Sequence, residues 1–133
     1  FALPRFADLG GEARKAAVQG AYGAIQSASS IAHAEFLVKG DADAAAGIQI
    51  SLEGTTIQML NGYPQAQTAG NEGILDAAQI TASDFDLTGS PGAAVADTVI
   101  VTPKGATAAA TCSVTYTTTA AGPTIAVVAT NCD

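Results

Sequence analysis

The chain has 133 residues, of which 13% are charged, and a net charge of −7 with only five Lys and Arg. That balance argues against a phosphate-tracking nucleic-acid surface and against an anionic-lipid surface, since both need clustered basic side chains. Hydrophobic residues make up 48% but aromatics only 5%, with no Trp, so the length allows one domain whose core is built mainly from small side chains.

The opening run "FALPRF" is apolar and carries a proline but no initiator methionine, and it reads as the start of a processed or truncated chain. Neither a signal peptide nor a run of roughly 18 apolar residues follows it. Residues 12 to about 37 predict a helix: Val18, Tyr22, Ile25, Ala28 or Ser29, Ala32 and Phe36 recur at spacings of three and four, one stripe of a helix. Gln19, Gln26 and Ser30 fall on the opposite side. Glu12 suits the positive end of the helix dipole, and Lys39-Gly40 supplies a stop. Gly20 and Gly23 weaken such a helix by about 1 kcal/mol each relative to alanine, which close approach of another backbone would offset.

"GDADAAAG" (40–47) reads as a loop. The period then becomes two: Ile48, Ile50 and Leu52, a Glu53-Gly54 turn, then Ile57 and Met59 predict a hairpin that "NGYP" (61–64) ends. Residues 65–83 read as a loop with a short helix around Glu72–Gln79, and 84–96 as irregular. Strands are predicted over 97–103, 111–119 and 124–132, with Ala121-Gly122-Pro123 turning the last pair. The predicted fold class is α+β: one long helix packed on one antiparallel sheet of about four or five strands.

Two cysteines near the end, Cys112 and Cys132, with nothing nearby to ligate a metal, point to one disulfide and an oxidising compartment; two free buried thiols are the alternative. A turn centred on Gly122 sets Val114 opposite Thr130, Tyr116 opposite Val128 and Cys112 opposite Cys132. Opposed residues in an antiparallel pair lie about 4.5–5.5 Å apart at Cα, close to disulfide geometry.

Catalytic signals are weak. His33 is the one histidine; a catalytic pairing with Glu35 or a serine competes with the plainer reading of a surface or helix-edge histidine. Asp41/Asp43 and Asp84/Asp86 resemble fragments of a calcium loop but lack the remaining oxygens and the terminal Glu, so they read as solvated loop acids. Thr115, Thr117, Thr118 and Thr119 read as an exposed, Thr-rich strand. Asn61, Asn71 and Asn131 all fail the N-glycosylation pattern. No enzyme, cofactor or metal site is expected.

The run "ALPRFADLGGEARKAAVQGAYGAIQSA" resembles type IV pilins just after their hydrophobic N-terminal helix, most of all the mannose-sensitive-haemagglutinin type. Ala2, Pro4, Arg5, Phe6, Asp8 and Leu9 match that family's A-x-P-[RK]-F-x-D-L run. "NGYP" and the closing "CSVTY…PTI…C" are also similar to this subgroup. The resemblance implies a pilin-like roll in which 1–38 is the second half of the pilin helix, 39–47 the αβ loop, and 48–133 the sheet and a D-region (113–131) bounded by Cys112 and Cys132. It also implies a cleaved leader, a methylated first residue and an apolar helix upstream of Phe1, with Pro4 and Phe6 at the filament junction and Val18, Tyr22, Ile25 and Phe36 holding helix to sheet. The implied function is structural: a subunit of an extracellular filament serving adhesion, surface attachment or motility, held in the inner membrane before assembly. Its implied partners are other copies of itself, minor pilins and the pilus assembly machinery. A type II secretion pseudopilin, a minor pilin, and a secreted carbohydrate- or protein-binding module are the competing readings. A DNA-uptake pilin is disfavoured by the scarcity of Lys and Arg.

Overall fold

The computed structural model describes residues 10–39 and 48–133. Helix α1, Gly11–Val38, runs for 28 residues from an extended Gly10 that offers no side-chain cap, with Glu12 in its first turn. It buries Arg14, Val18, Ala21, Ile25, Ala28, Ser29, Ala32 and Phe36, a single stripe at spacings of three and four. Tyr22 sits at the edge of that stripe, half-buried, where it packs against the same core. The Gly40 stop lies outside the described residues; the last described cap is the Lys39 N–H donating to the Glu35 carbonyl at 3.1 Å.

The strands form two sheets rather than one. The first holds β1 (Ile48–Leu52), β2 (Thr55–Leu60) and β3 (Tyr63–Pro64) in that order. The second holds β4 (Phe85–Thr88), β5 (Thr98–Pro103), β6 (Cys112–Thr117) and β7 (Thr124–Ala129). Every pairing is antiparallel. A single turn of helix, α2 (Ile74–Ala77), sits between them in sequence. The core divides to match. Val18 to Ala28 of α1 pack with Val99, Val101, Val114 and Tyr116 of the second sheet. Ala32 and Phe36 pack with Ile50, Ile57 and Met59 of the first. One helix stripe thus serves two sheets along its length, the apolar burial that stabilises the whole.

"NGYP" does more than end a hairpin. Asn61 and Gly62 both take positive φ, 53° and 84°, the requirement of a two-residue type I′ turn. The chain therefore doubles back, and Tyr63 and Pro64 pair with Leu60 and Met59 as a third strand. The stretch 84–96 is not irregular throughout: Phe85–Thr88 is β4, an edge strand whose Phe85 and Leu87 face the core opposite Pro103 and Val101. Four residues of "DFDLTG" alternate inward and outward, a period too short to stand out among the surrounding turns.

The last hairpin also differs in register. Cys112 pairs with Ala129, Val114 with Val127 and Tyr116 with Ile125, three places from the predicted alignment. Thr118 leaves the strand early, because its N–H donates to the Asp97 carbonyl at 3.1 Å and its hydroxyl to the Ala94 carbonyl at 2.7 Å. The connection then takes 118–123, and its centre moves ahead of Gly122. An odd shift exchanges the two faces of a strand, so Ile125, Val127 and Ala129 point inward and Val128 lies exposed. Thr118 is consequently buried rather than part of an exposed threonine row, and Thr115 and Thr117 are half-buried.

Two sets of glycine substitutions test this architecture. Gly122 has φ +119°, and a Cβ there would stand 3.1 Å from Tyr63 Cε2. Gly122→Ala is expected to cost about 1–3 kcal/mol, read as a lower urea midpoint at unchanged slope. A Cβ added at Gly20 or Gly23 would meet nothing within 4 Å beyond the helix itself among the described residues. Gly20→Ala and Gly23→Ala should each stabilise the isolated chain by about 0.5–1 kcal/mol, raising the melting temperature.

Candidate functional site

The C-terminal hairpin and the start of α1 form one constrained unit. Past β7, the Thr130 and Asn131 N–H groups both donate to the Thr111 carbonyl, at 3.0 and 3.1 Å. That turn carries Cys132 back to Cys112 despite the shifted register. The two form a disulfide with Cα atoms 5.0 Å apart, and both are buried. Arg14, on the buried stripe of α1, donates from Nε to the Cys132 carbonyl. The Thr107 hydroxyl and N–H donate to the Asp133 carbonyl at 2.8 and 2.9 Å. The disulfide is therefore also the point where the hairpin's open end is tied to the helix. Arg14 was legible as a stripe position, four residues before Val18, though its charge hid it among the apolar spacings.

Tyr116 links the two sheets. Its hydroxyl donates to the Pro64 carbonyl of β3 at 2.6 Å, and its side chain has no exposed surface. Burial pushes its pKa well above the ordinary tyrosine range, and a hydrogen bond from the Ser29 side chain acts the other way. Close by, His33 stacks on Tyr63 with ring centroids 4.1 Å apart and planes 5° from parallel. His33 Nδ1 lies 2.7 Å from the Gly62 carbonyl, which fixes that nitrogen as the donor. On this evidence His33 is a packing group at the helix edge that closes the type I′ turn onto α1. Neither Glu35 nor a serine is bonded to it in the described region.

The acidic pairs divide. Asp86 holds Lys104 Nζ at 2.9 Å, an exposed ion pair of little energetic weight, while Asp41 and Asp43 lie outside the described residues. Asp76 is the best-employed carboxylate. It accepts the Gly70, Glu72 and Gly73 N–H groups at 2.8, 2.6 and 3.2 Å and so organises the loop ahead of α2. Among the described residues no group of three His, Cys, Asp or Glu side chains could hold a metal ion, and no helix there is long and apolar enough to cross a membrane.

Of the residues singled out from sequence, Val18, Ile25 and Phe36 are buried under the sheets, Tyr22 flanks them, and Cys112 and Cys132 are joined. Pro4 and Phe6 lie outside the described residues, as does the 40–47 loop. The face of α1 away from the sheets, with Gln19, Gly20, Gly23, Gln26 and Ser30, is exposed. No protein-family model, curated protein or solved structure matches this chain.

Proposed function

We propose that the chain is the globular part of a structural filament subunit of the type IV pilin kind, which polymerises to serve adhesion, surface attachment or motility. One observation carries the reading: a single long helix laid across antiparallel sheets, with a disulfide-closed C-terminal hairpin fastened to its first turns through Arg14. The long helix, the antiparallel pairing and the Cys112–Cys132 bond are what the "ALPRFADLGG" resemblance implies; the division into two sheets and the Arg14 contact are not part of it. Two features support the reading. On the exposed helix face, a Cβ added at Gly20 or Gly23 would meet nothing within 4 Å beyond the helix itself among the described residues, which leaves room for close approach by another backbone. Among the described residues, the side chains brought together, the Cys112–Cys132 pair, Arg14, Tyr116 and His33, hold and pack.

In this reading the fold acts as a rigid tile. The disulfide and the Tyr116 link resist shear between the hairpin, the sheets and the helix, so that load on one face passes to the others without local unfolding. The subunit is displayed outside the cell in the filament, with the inner membrane and periplasm as its earlier stations. Its partners are copies of itself, minor pilins and the assembly machinery.

The test is electron microscopy of cells lacking the gene. Complete loss of filaments, restored by the gene in trans, is the expected result for a major subunit. Sparse or shortened filaments would mark a minor one. Filaments unchanged, with a secretion defect instead, would favour a pseudopilin. Normal filaments and secretion would overturn the reading and leave a secreted binding module.

A further inference from the structure

We propose that a groove beside the middle of α1 receives the Lys15 side chain of a second copy, joining copies head to tail. The proposal rests on the filament reading and names a contact within it. The groove, of about 150 Å³, lies between α1, the β1–β2 turn and α2. Ala28, Ile31 and Leu52 give it an apolar lining, and Glu53 and Gln79 stand at its rim. Ile31 is 58% exposed at the mouth, an apolar side chain that gains from being covered.

The rim carries one carboxylate with spare capacity. Asp76 is occupied by three backbone N–H groups. Glu53 is exposed, and its Oε2 accepts a single hydrogen bond, from Gln79 Nε2 at 3.3 Å. An apolar floor under a carboxylate fits a long aliphatic stem ending in a cation.

The chain has few such groups. Among the described residues, Arg14 is bound to Cys132, Lys104 to Asp86, and Lys39 donates to the Gln49 carbonyl at 3.3 Å. Lys15 alone has no hydrogen bond or carboxylate partner there. Charge complementarity therefore selects it as the occupant. In a chain of net charge −7, placing each lysine on a neighbour's carboxylate also offsets the like-charge repulsion between copies.

The positions of the two patches dictate the type of assembly. Lys15 and Ile31 stand sixteen residues apart on α1, roughly 24 Å along the axis and roughly 160° around it at the helical rise and turn per residue. The donor and the groove thus occupy opposite flanks of the helix and different heights. A contact between unlike patches is heterologous, and unless its rotation closes a ring it propagates as an open helix.

The test uses the host strain and the purified chain together. Lys15→Glu and Glu53→Lys, each first checked for an unchanged melt, should each lower filament number at least tenfold, and the double exchange should restore it. A Lys15→Cys/Glu53→Cys double variant, treated at high concentration as purified chain or within filaments with a bismaleimide long enough to span the two side chains replaced, which a direct disulfide is too short to do, should give a ladder of trimers and larger species on denaturing gels. Each single cysteine variant should give dimers at most. Normal filaments in both charge variants would overturn the contact while leaving the filament reading intact. Absence of filaments from the unaltered strain would count against the filament reading alone. Absence of the ladder from the purified double variant would overturn the contact whatever the strain shows.

Discussion

Replacing both Cys112 and Cys132 by alanine is expected to destabilise the chain by about 3 kcal/mol and lower its melting temperature by roughly 10 °C. The bond spans a sequence separation of 20, and on the chain-entropy account most of its effect lies in the unfolded ensemble, where it removes the freedom of that loop. The folded state adds a second, local contribution. Cys132 lies beyond the last ladder pair, Cys112 with Ala129, so residues 130–132 are held by the disulfide, by two N–H donations to Thr111 and by Arg14. Arg14→Ala should cost about 1–3 kcal/mol by leaving the buried Cys132 carbonyl without its donor. In the cysteine-free background the same change should cost much less, because the segment it secures is already loosened. A double-mutant cycle reads this as a coupling of about 1 kcal/mol or more. Strict additivity would mean that disulfide and arginine act on separate parts of the fold, and equal melts for the wild-type and cysteine-free chains would remove the stabilising role of the bond.

The helix and most strands were legible because their apolar spacing is set by which face is buried. Val18, Ile25, Ala32 and Phe36 recur at helical intervals, and Val99 and Val101 or Val114 and Tyr116 at strand intervals. The division into two sheets was not legible. Nothing in the spacing of Ile57 and Met59 distinguishes them from Val99 and Val101; which sheet each joins depends on long-range pairing. The hairpin register failed for a related reason. A turn centred on Gly122 placed the cysteines opposite one another, but Thr118 finds better acceptors in Ala94 and Asp97, residues about twenty positions upstream. The disulfide survived this shift because three residues past the strand are enough to turn back. Of the candidate site, the cysteines and stripe residues could be named in advance. The roles of Arg14, Tyr63 and Tyr116 could not, since each depends on a backbone carbonyl or ring brought near by the fold.

Tyr116 should be the costliest single side chain to remove. It is wholly buried on β6, donates to Pro64 of the other sheet and meets Ser29 of α1, so one phenol touches all three layers. Tyr116→Ala leaves a large cavity and an unpaired carbonyl at that junction, a loss of about 3–5 kcal/mol, which is a large share of the 5–15 kcal/mol that typically separates folded from unfolded chains. Because that variant risks not folding, Tyr116→Phe is the sharper instrument. It keeps the ring and removes the donor, at a cost of about 1–2 kcal/mol near neutral pH. The pH dependence then identifies the hydroxyl. Burial raises the Tyr116 pKa in the fold, so above about pH 10 the unfolded chain releases that proton while the folded chain keeps it. The contribution is fully present below about pH 10 and falls by about 1.4 kcal/mol per pH unit above it. The phenylalanine variant has no such proton to lose. Urea unfolding from pH 8 to 11.5 should therefore show the wild type ahead at pH 8, the gap closing above pH 10, and the order reversing about one unit later. Parallel curves across that range would mean that the hydroxyl is hydrated in the fold and that the link between the sheets is carried by the ring alone.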